Sequence, residues 1–120
     1  MKRSFMVLLP LLAACATIPP PTWTARVTAT PCGNGFTGTY MVMLPNGDTS
    51  ITSVSGVVSC SGPQPQWVEY SVGGGSRILN AAFINSSFAH ELKAEIRRND
   101  SVKSVGSTSV RGGIVAISPP

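Results

Sequence analysis

Three observations predict an α+β fold for this chain. Apolar and polar residues alternate with period two through much of the first half, the mark of half-buried strands. Turn-forming residues punctuate those stretches, most clearly at Pro45-Asn46-Gly47-Asp48. Further along the spacing changes, and Ile84, Phe88, Leu92 and Ile96 recur every four residues as a helical stripe. The expected architecture is a small antiparallel β-sheet with one main amphipathic helix, about residues 85–99, packed on it.

The chain opens with two cations, Lys2 and Arg3, followed by the apolar run Phe5 to Ala14. This is the layout of an export signal: the cations stay behind while the apolar run enters the translocon. A permanent transmembrane helix needs ~20 apolar residues, more than this run supplies. Leu12-Ala13-Ala14-Cys15 resembles the lipobox of bacterial lipoproteins, in which cleavage precedes the cysteine and the cysteine receives the lipid. The resemblance implies a signal over residues 1–14, acylation of Cys15, and membrane lipid as a partner through that group. Each buried methylene of an acyl chain is worth about 0.8 kcal/mol, so several chains together anchor stably. Ala16 after the cysteine is, in such lipoproteins, compatible with transfer to the outer membrane, with the domain facing the periplasm. Ala14-Cys15-Ala16 also fits ordinary cleavage after Ala16, which would release a soluble secreted or periplasmic protein.

Thr17 to Thr22 contains three consecutive prolines and reads as a stiff extended tether, completing an anchor-and-tether segment over 15–22. The remaining 23–120 is one α+β domain. Trp23, Ala25, Val27 and Ala29 alternate with threonines and Arg26 as a first strand. Phe36 to Leu44 forms a second, with Tyr40, Val42 and Leu44 on one face. Thr49 to Ser59 returns from the Asn-Gly turn, with a bulge or break expected at Gly56. Ser61 to Pro65 is a loop, Trp67 to Val72 a strand, and Gly73-Gly74-Gly75-Ser76 an interruption. Residues 77–83 fit strand or helix equally. In the helix that follows, Asn85, Ser86 and Ser87 are candidate caps, and Arg97 and Arg98 sit where the helix dipole favours cations. Val102 to Val110 and Ile114 to Ile117 read as a hairpin around Arg111-Gly112-Gly113.

The formal charge of +4 falls by two once Lys2 and Arg3 leave with the signal. The basic isoelectric point is then a weak pointer to acidic partners, and export conflicts with a nucleic-acid role. From Gly73 onward Arg77, Lys93, Arg97, Arg98, Lys103 and Arg111 outnumber Glu91, Glu95 and Asp100, leaving +3. Such a face suits anionic headgroups, peptidoglycan or an acidic protein. With Cys15 set aside, Cys32 and Cys60 remain as a pair, and an oxidising compartment makes a disulfide the expected outcome. Closing a loop of that length is worth about 3–4 kcal/mol in the chain-entropy model. Two cysteines and one distant histidine match no usual zinc spacing.

Other motifs carry little chemistry. Gly33-Asn34-Gly35-Phe36-Thr37-Gly38 matches the dinucleotide fingerprint, but the glycines lead into a strand and no βαβ unit follows, so no nucleotide is expected. His90, the single histidine, stands beside Glu91 with no third group to orient it. Glu69, between Trp67 and Tyr70, is the one acid in aromatic surroundings. Trp67, Glu69, Tyr70, Arg97 and Arg98 are therefore the candidate binding residues. No catalytic set, cofactor or metal is expected. The reading these features favour is a non-enzymatic envelope lipoprotein that binds another envelope protein or supports an assembly. Size and topology are also similar to small disulfide-linked lipoproteins that block lysozymes, a likeness carried by no motif residue. An envelope hydrolase using Glu69 or His90 is the third class.

Overall fold

Alternation of side-chain polarity dictates strands from Trp23 nearly to the C-terminus. The computed structural model describes residues 19–60 and 66–120. Within them the regular elements are eight β-strands: β1 (Trp23–Thr30), β2 (Gly35–Met43), β3 (Thr49–Val57), β4 (Val68–Ser71), β5 (Arg77–Asn85), β6 (Glu91–Arg98), β7 (Ser101–Thr108) and β8 (Ile114–Ile117). They form two four-stranded antiparallel sheets, in the orders β4-β1-β6-β7 and β3-β2-β5-β8. The fold is all-β, not α+β. The expected signal, Cys15, the start of the tether and the Ser61–Pro65 loop lie outside the described residues.

The inner faces of the two sheets supply the core. Ala25, Val27 and Ala29 of β1, with Leu92, Ala94 and Ile96 of β6, come from the first sheet. Phe36, Tyr40 and Val42 of β2, Ile78, Ala81 and Phe83 of β5, and Val115 and Ile117 of β8 come from the second. Phe36 stands edge-on to both Phe83 and Tyr70, at centroid distances of 5.8 and 6.4 Å, linking the layers. Edge-to-face pairs of this kind add about 0.5–1.5 kcal/mol beyond their buried area.

The expected helix over 85–99 does not form. Its residues are the end of β5, a loop and the whole of β6. A spacing of four is an even number, so it keeps side chains on one face of a strand as well as of a helix. The position two residues on decides between them. Ala94 is buried with Leu92 and Ile96, while Glu91, Lys93, Glu95 and Arg97 take the other face. Ile84 and Phe88, which a helix would bury with them, are 37% and 67% exposed.

Other segments also sort themselves. Residues 77–83 are strand. β7 and β8 are both strands as expected, but they do not form a hairpin: β7 pairs with β6 and β8 with β5, in different sheets. The segment around Gly112, whose φ is 78°, therefore carries the chain from one layer to the other. The Asn46-Gly47 turn forms as expected, with Gly47 at φ 91° and Leu44 N–H donating to the Asp48 carbonyl. Leu44, expected on the buried face, lies just past β2 and is exposed. β3 pairs with β2 without a register shift at Gly56; the irregularities fall at Met41/Val42 and Ile96/Arg97.

Candidate functional site

The residues singled out in the sequence fall into separate places. Alternation along β4 turns Val68 and Tyr70 toward the core and Glu69 toward solvent. Glu69 accepts from Arg26 Nε at 3.0 Å and Nη2 at 2.7 Å through a single oxygen, Oε1. The Arg26 guanidinium also lies 3.9 Å from the centroid of the Trp67 ring. Trp67, Arg26 and Glu69 thus make a stacked ion pair on the outer face of the first sheet. The carboxylate there is held by the Arg26 guanidinium. Tyr70 belongs to the inner aromatic group, 5.9 Å from Tyr40. Burial, and then the neighbouring Tyr40, raise its phenol above the usual value of 10.0.

Arg97 and Arg98 separate in the same way. Arg97 donates to Glu95 Oε2 at 3.1 Å and to the Asp100 carbonyl at 3.0 Å, and Lys93 lies 3.9 Å from the other Glu95 oxygen. Arg98 turns instead into an open cleft of about 590 Å³ at one end of the sandwich. His90 is exposed on the loop before β6, and its backbone N–H donates to the Thr30 carbonyl. Among the described residues no three His, Cys, Asp or Glu side chains gather as a metal site would require. Cys32 and Cys60 are joined by a disulfide with a Cα–Cα distance of 5.2 Å.

That cleft is the concentration of chemistry which reading residue by residue did not find. Arg77 at the start of β5, Arg98 at the end of β6 and Lys103 of β7 line it, with Trp23, Pro20 and Pro21. The tight Asn99-Asp100 turn between β6 and β7 brings Arg98 and Lys103 together. Asn99 takes the left-handed conformation at φ 54°, which asparagine tolerates. Its side-chain carbonyl accepts from Thr22 N–H at 3.0 Å and its own N–H donates to the Thr22 carbonyl at 2.7 Å. Thr22 is thereby fixed against the β6–β7 turn. No Asp or Glu side chain lines the cleft, which Pro119 and Pro120 also border, while Asp100 borders a hollow beside Arg98 and Lys103. Among the described residues none of Arg77, Arg98 and Lys103 makes an ion pair.

The cationic excess of the second half therefore divides by place. Lys93 and Arg97 share the single carboxylate of Glu95 on the outer face of β6. Arg111 stacks over Phe88, 4.1 Å from the ring centroid, near the far end of β5. The other three stand together beside the Trp23 ring, without an ion pair among the described residues. Such a cluster of cations attracts anions.

No helix of the described residues is long and apolar enough to cross a membrane. Comparison with protein-family models, with curated proteins and with solved structures returns no match for this chain.

Proposed function

We propose that this chain is a non-enzymatic, lipid-anchored envelope protein whose basic end rests on the anionic headgroups of the membrane that carries its anchor. The observation that carries the reading is the position of Arg77, Arg98 and Lys103 around a cleft that Pro20 and Pro21 also line. Pro20 is five residues on from Cys15, a reach of about 18 Å at full extension. If Cys15 bears the lipid, Pro20 lies within that distance of the acylated residue, and these cations line the cleft that Pro20 borders. Each cation near an anionic surface contributes about 1 kcal/mol, so three give about two orders of magnitude in surface affinity. The anchor holds the domain at the membrane, and the cleft sets which end faces it. The rest of the sandwich is then free to meet an envelope partner.

Two measurements test this. Mass spectrometry of the mature protein from its native host is expected to find an acylated N-terminal Cys15; an unmodified N-terminus at Thr17 would sink the anchor. Chain lacking the lipid should bind vesicles containing phosphatidylglycerol and release with salt. Joint replacement of Arg77, Arg98 and Lys103 by Gln should abolish that binding. Equal binding to neutral phosphatidylcholine vesicles, or no effect of the triple replacement, would remove the headgroup role.

A further inference from the structure

The four edge strands of the sandwich are not alike. β4 and β8 have four residues each; β4 carries the paired Glu69, and Pro119 follows shortly after β8. β7 carries Lys103 and lies beside a register shift. Short length, charge, proline and irregularity are the usual protections of an open sheet edge. β3 has none of them. It runs nine residues, Thr49–Val57, without a charge or a proline, and pairs with β2 in unbroken register. Ile51 and Val57 are 66% and 58% exposed. Among the described residues no strand lies beyond it.

The backbone pattern of this edge can be assigned. Leu44 N–H donates to the Asp48 carbonyl at one end, and at the other Val58 bonds inward through both its N–H and its carbonyl. Antiparallel pairs alternate between bonded and non-bonded positions. Counting from both ends, the even residues Ser50, Thr52, Val54 and Gly56 bond to β2. The odd residues Thr49, Ile51, Ser53, Ser55 and Val57 therefore direct their N–H and C=O groups to the open edge. Their side chains share the outer face of the sheet with Thr37, Thr39 and Met41 of β2.

We propose that β3 pairs antiparallel with β3 of a second copy about a two-fold axis at Ser53, fusing two four-stranded sheets into one of eight. Ser53 then faces Ser53 of the second copy, Ile51 faces Ser55, and Thr49 faces Val57. A self-paired strand sets each residue against a position in the same sequence. Here every opposition is uncharged and joins a small or β-branched residue to another, which strands favour. Five outward residues on each strand allow about ten backbone hydrogen bonds in full register. The outer face stays continuous across the seam. On β3, β2 and β8 it bears no charge, and on β5 the charge is confined to the end at Arg77.

The register makes a sharp test. Opposed residues in a bonded antiparallel pair have Cα atoms about 5.5 Å apart, within the range a disulfide spans. In the full-length chain, Ser53→Cys should form a cross-linked dimer on mild oxidation, read on a non-reducing gel and by mass spectrometry of the linked peptide. Thr49→Cys and Val57→Cys should cross-link when mixed, and neither should do so alone above the unsubstituted chain, which controls for Cys15. Ser53→Lys should weaken association at least tenfold in sedimentation with the thermal midpoint unchanged. A chain that stays monomeric up to about 100 μM overturns the proposal. So does a dimer that survives Ser53→Lys, or Ser53→Cys cross-linking no faster than the control.

Discussion

Asn85 is fully buried at the end of β5, where its side chain holds two loops together. Nδ2 donates to the Ala89 carbonyl at 3.0 Å and to the Val110 carbonyl at 3.4 Å, while Oδ1 accepts from Ser87 N–H at 3.4 Å. Asn34 does similar work nearby, donating to the Pro31 carbonyl and accepting from Phe88 N–H. Truncating Asn85 to Ala would strand these groups away from water, at a cost of about 1–3 kcal/mol. The expected readout is a lower urea midpoint at unchanged slope. Tyr70 gives a second expectation. Its phenol is raised in the folded state, so the unfolded chain loses its proton first as pH passes about 10. The stability is full below that pH and is lost as pH climbs through the folded-state value. Tyr70→Phe should flatten this alkaline fall in urea midpoint, and an unchanged slope would contradict it. Some residues declared themselves in the sequence: the alternation of Ala25, Val27 and Ala29 and the Asn46-Gly47 turn are local patterns with local causes. Asn85 did not. Its partners lie on two loops, so from the sequence it read as a helix cap.

At the level of elements, the segment from Ile84 to Ile96 shows where a sequence pattern is ambiguous. Both a helix and a strand keep i and i+4 on one side, and alanine at 94 speaks weakly for either. What resolved it was the opposite sheet, whose flat inner face accepts Leu92, Ala94 and Ile96 in a row. The consequence can be measured. Ile96→Ala should cost about 2–5 kcal/mol, because the residue is fully buried and the cavity cannot close easily. Phe88→Ala should cost about 0.5–1 kcal/mol, the worth of an exposed ring stacked under Arg111. A helix packed by its stripe would make the two costs comparable, so chemical denaturation of both variants separates the folds. The disulfide was legible for a different reason: with Cys15 set aside as the expected lipid site, Cys32 and Cys60 were the remaining pair, and the structure joins them. The sheet partners of β7 and β8 were not legible. A glycine-rich turn between two strands marks a reversal, but whether the chain returns to the same sheet or crosses to the other depends on which edge is vacant.

Across the whole molecule, each layer presents a different exterior. The first sheet carries Arg26, Glu69, Lys93, Glu95 and Arg97 outward in pairs, and the second carries threonine, serine, methionine and isoleucine. The cationic excess was visible as a count, but its sorting into paired residues and the open cleft appears only when strand ends meet. The layers approach tightly at one corner, where Gly106 of β7 faces β8. A Cβ at Gly106 would lie 2.9 Å from Cγ2 of both Val115 and Ile117. Both atoms belong to branched side chains with little rotamer freedom. Gly106→Ala gains at most about 1 kcal/mol from reduced backbone freedom, against about 1–3 kcal/mol for overpacking, so the net effect should be destabilising. Val115→Ala alone should also destabilise, by opening a cavity. Combined, the two should cost less than their sum, since removing the Val115 methyls makes room for the new Cβ. A double-mutant cycle by urea denaturation reads this coupling directly. Additive costs would mean that the corner yields elsewhere and that Gly106 does not set the spacing of the sheets.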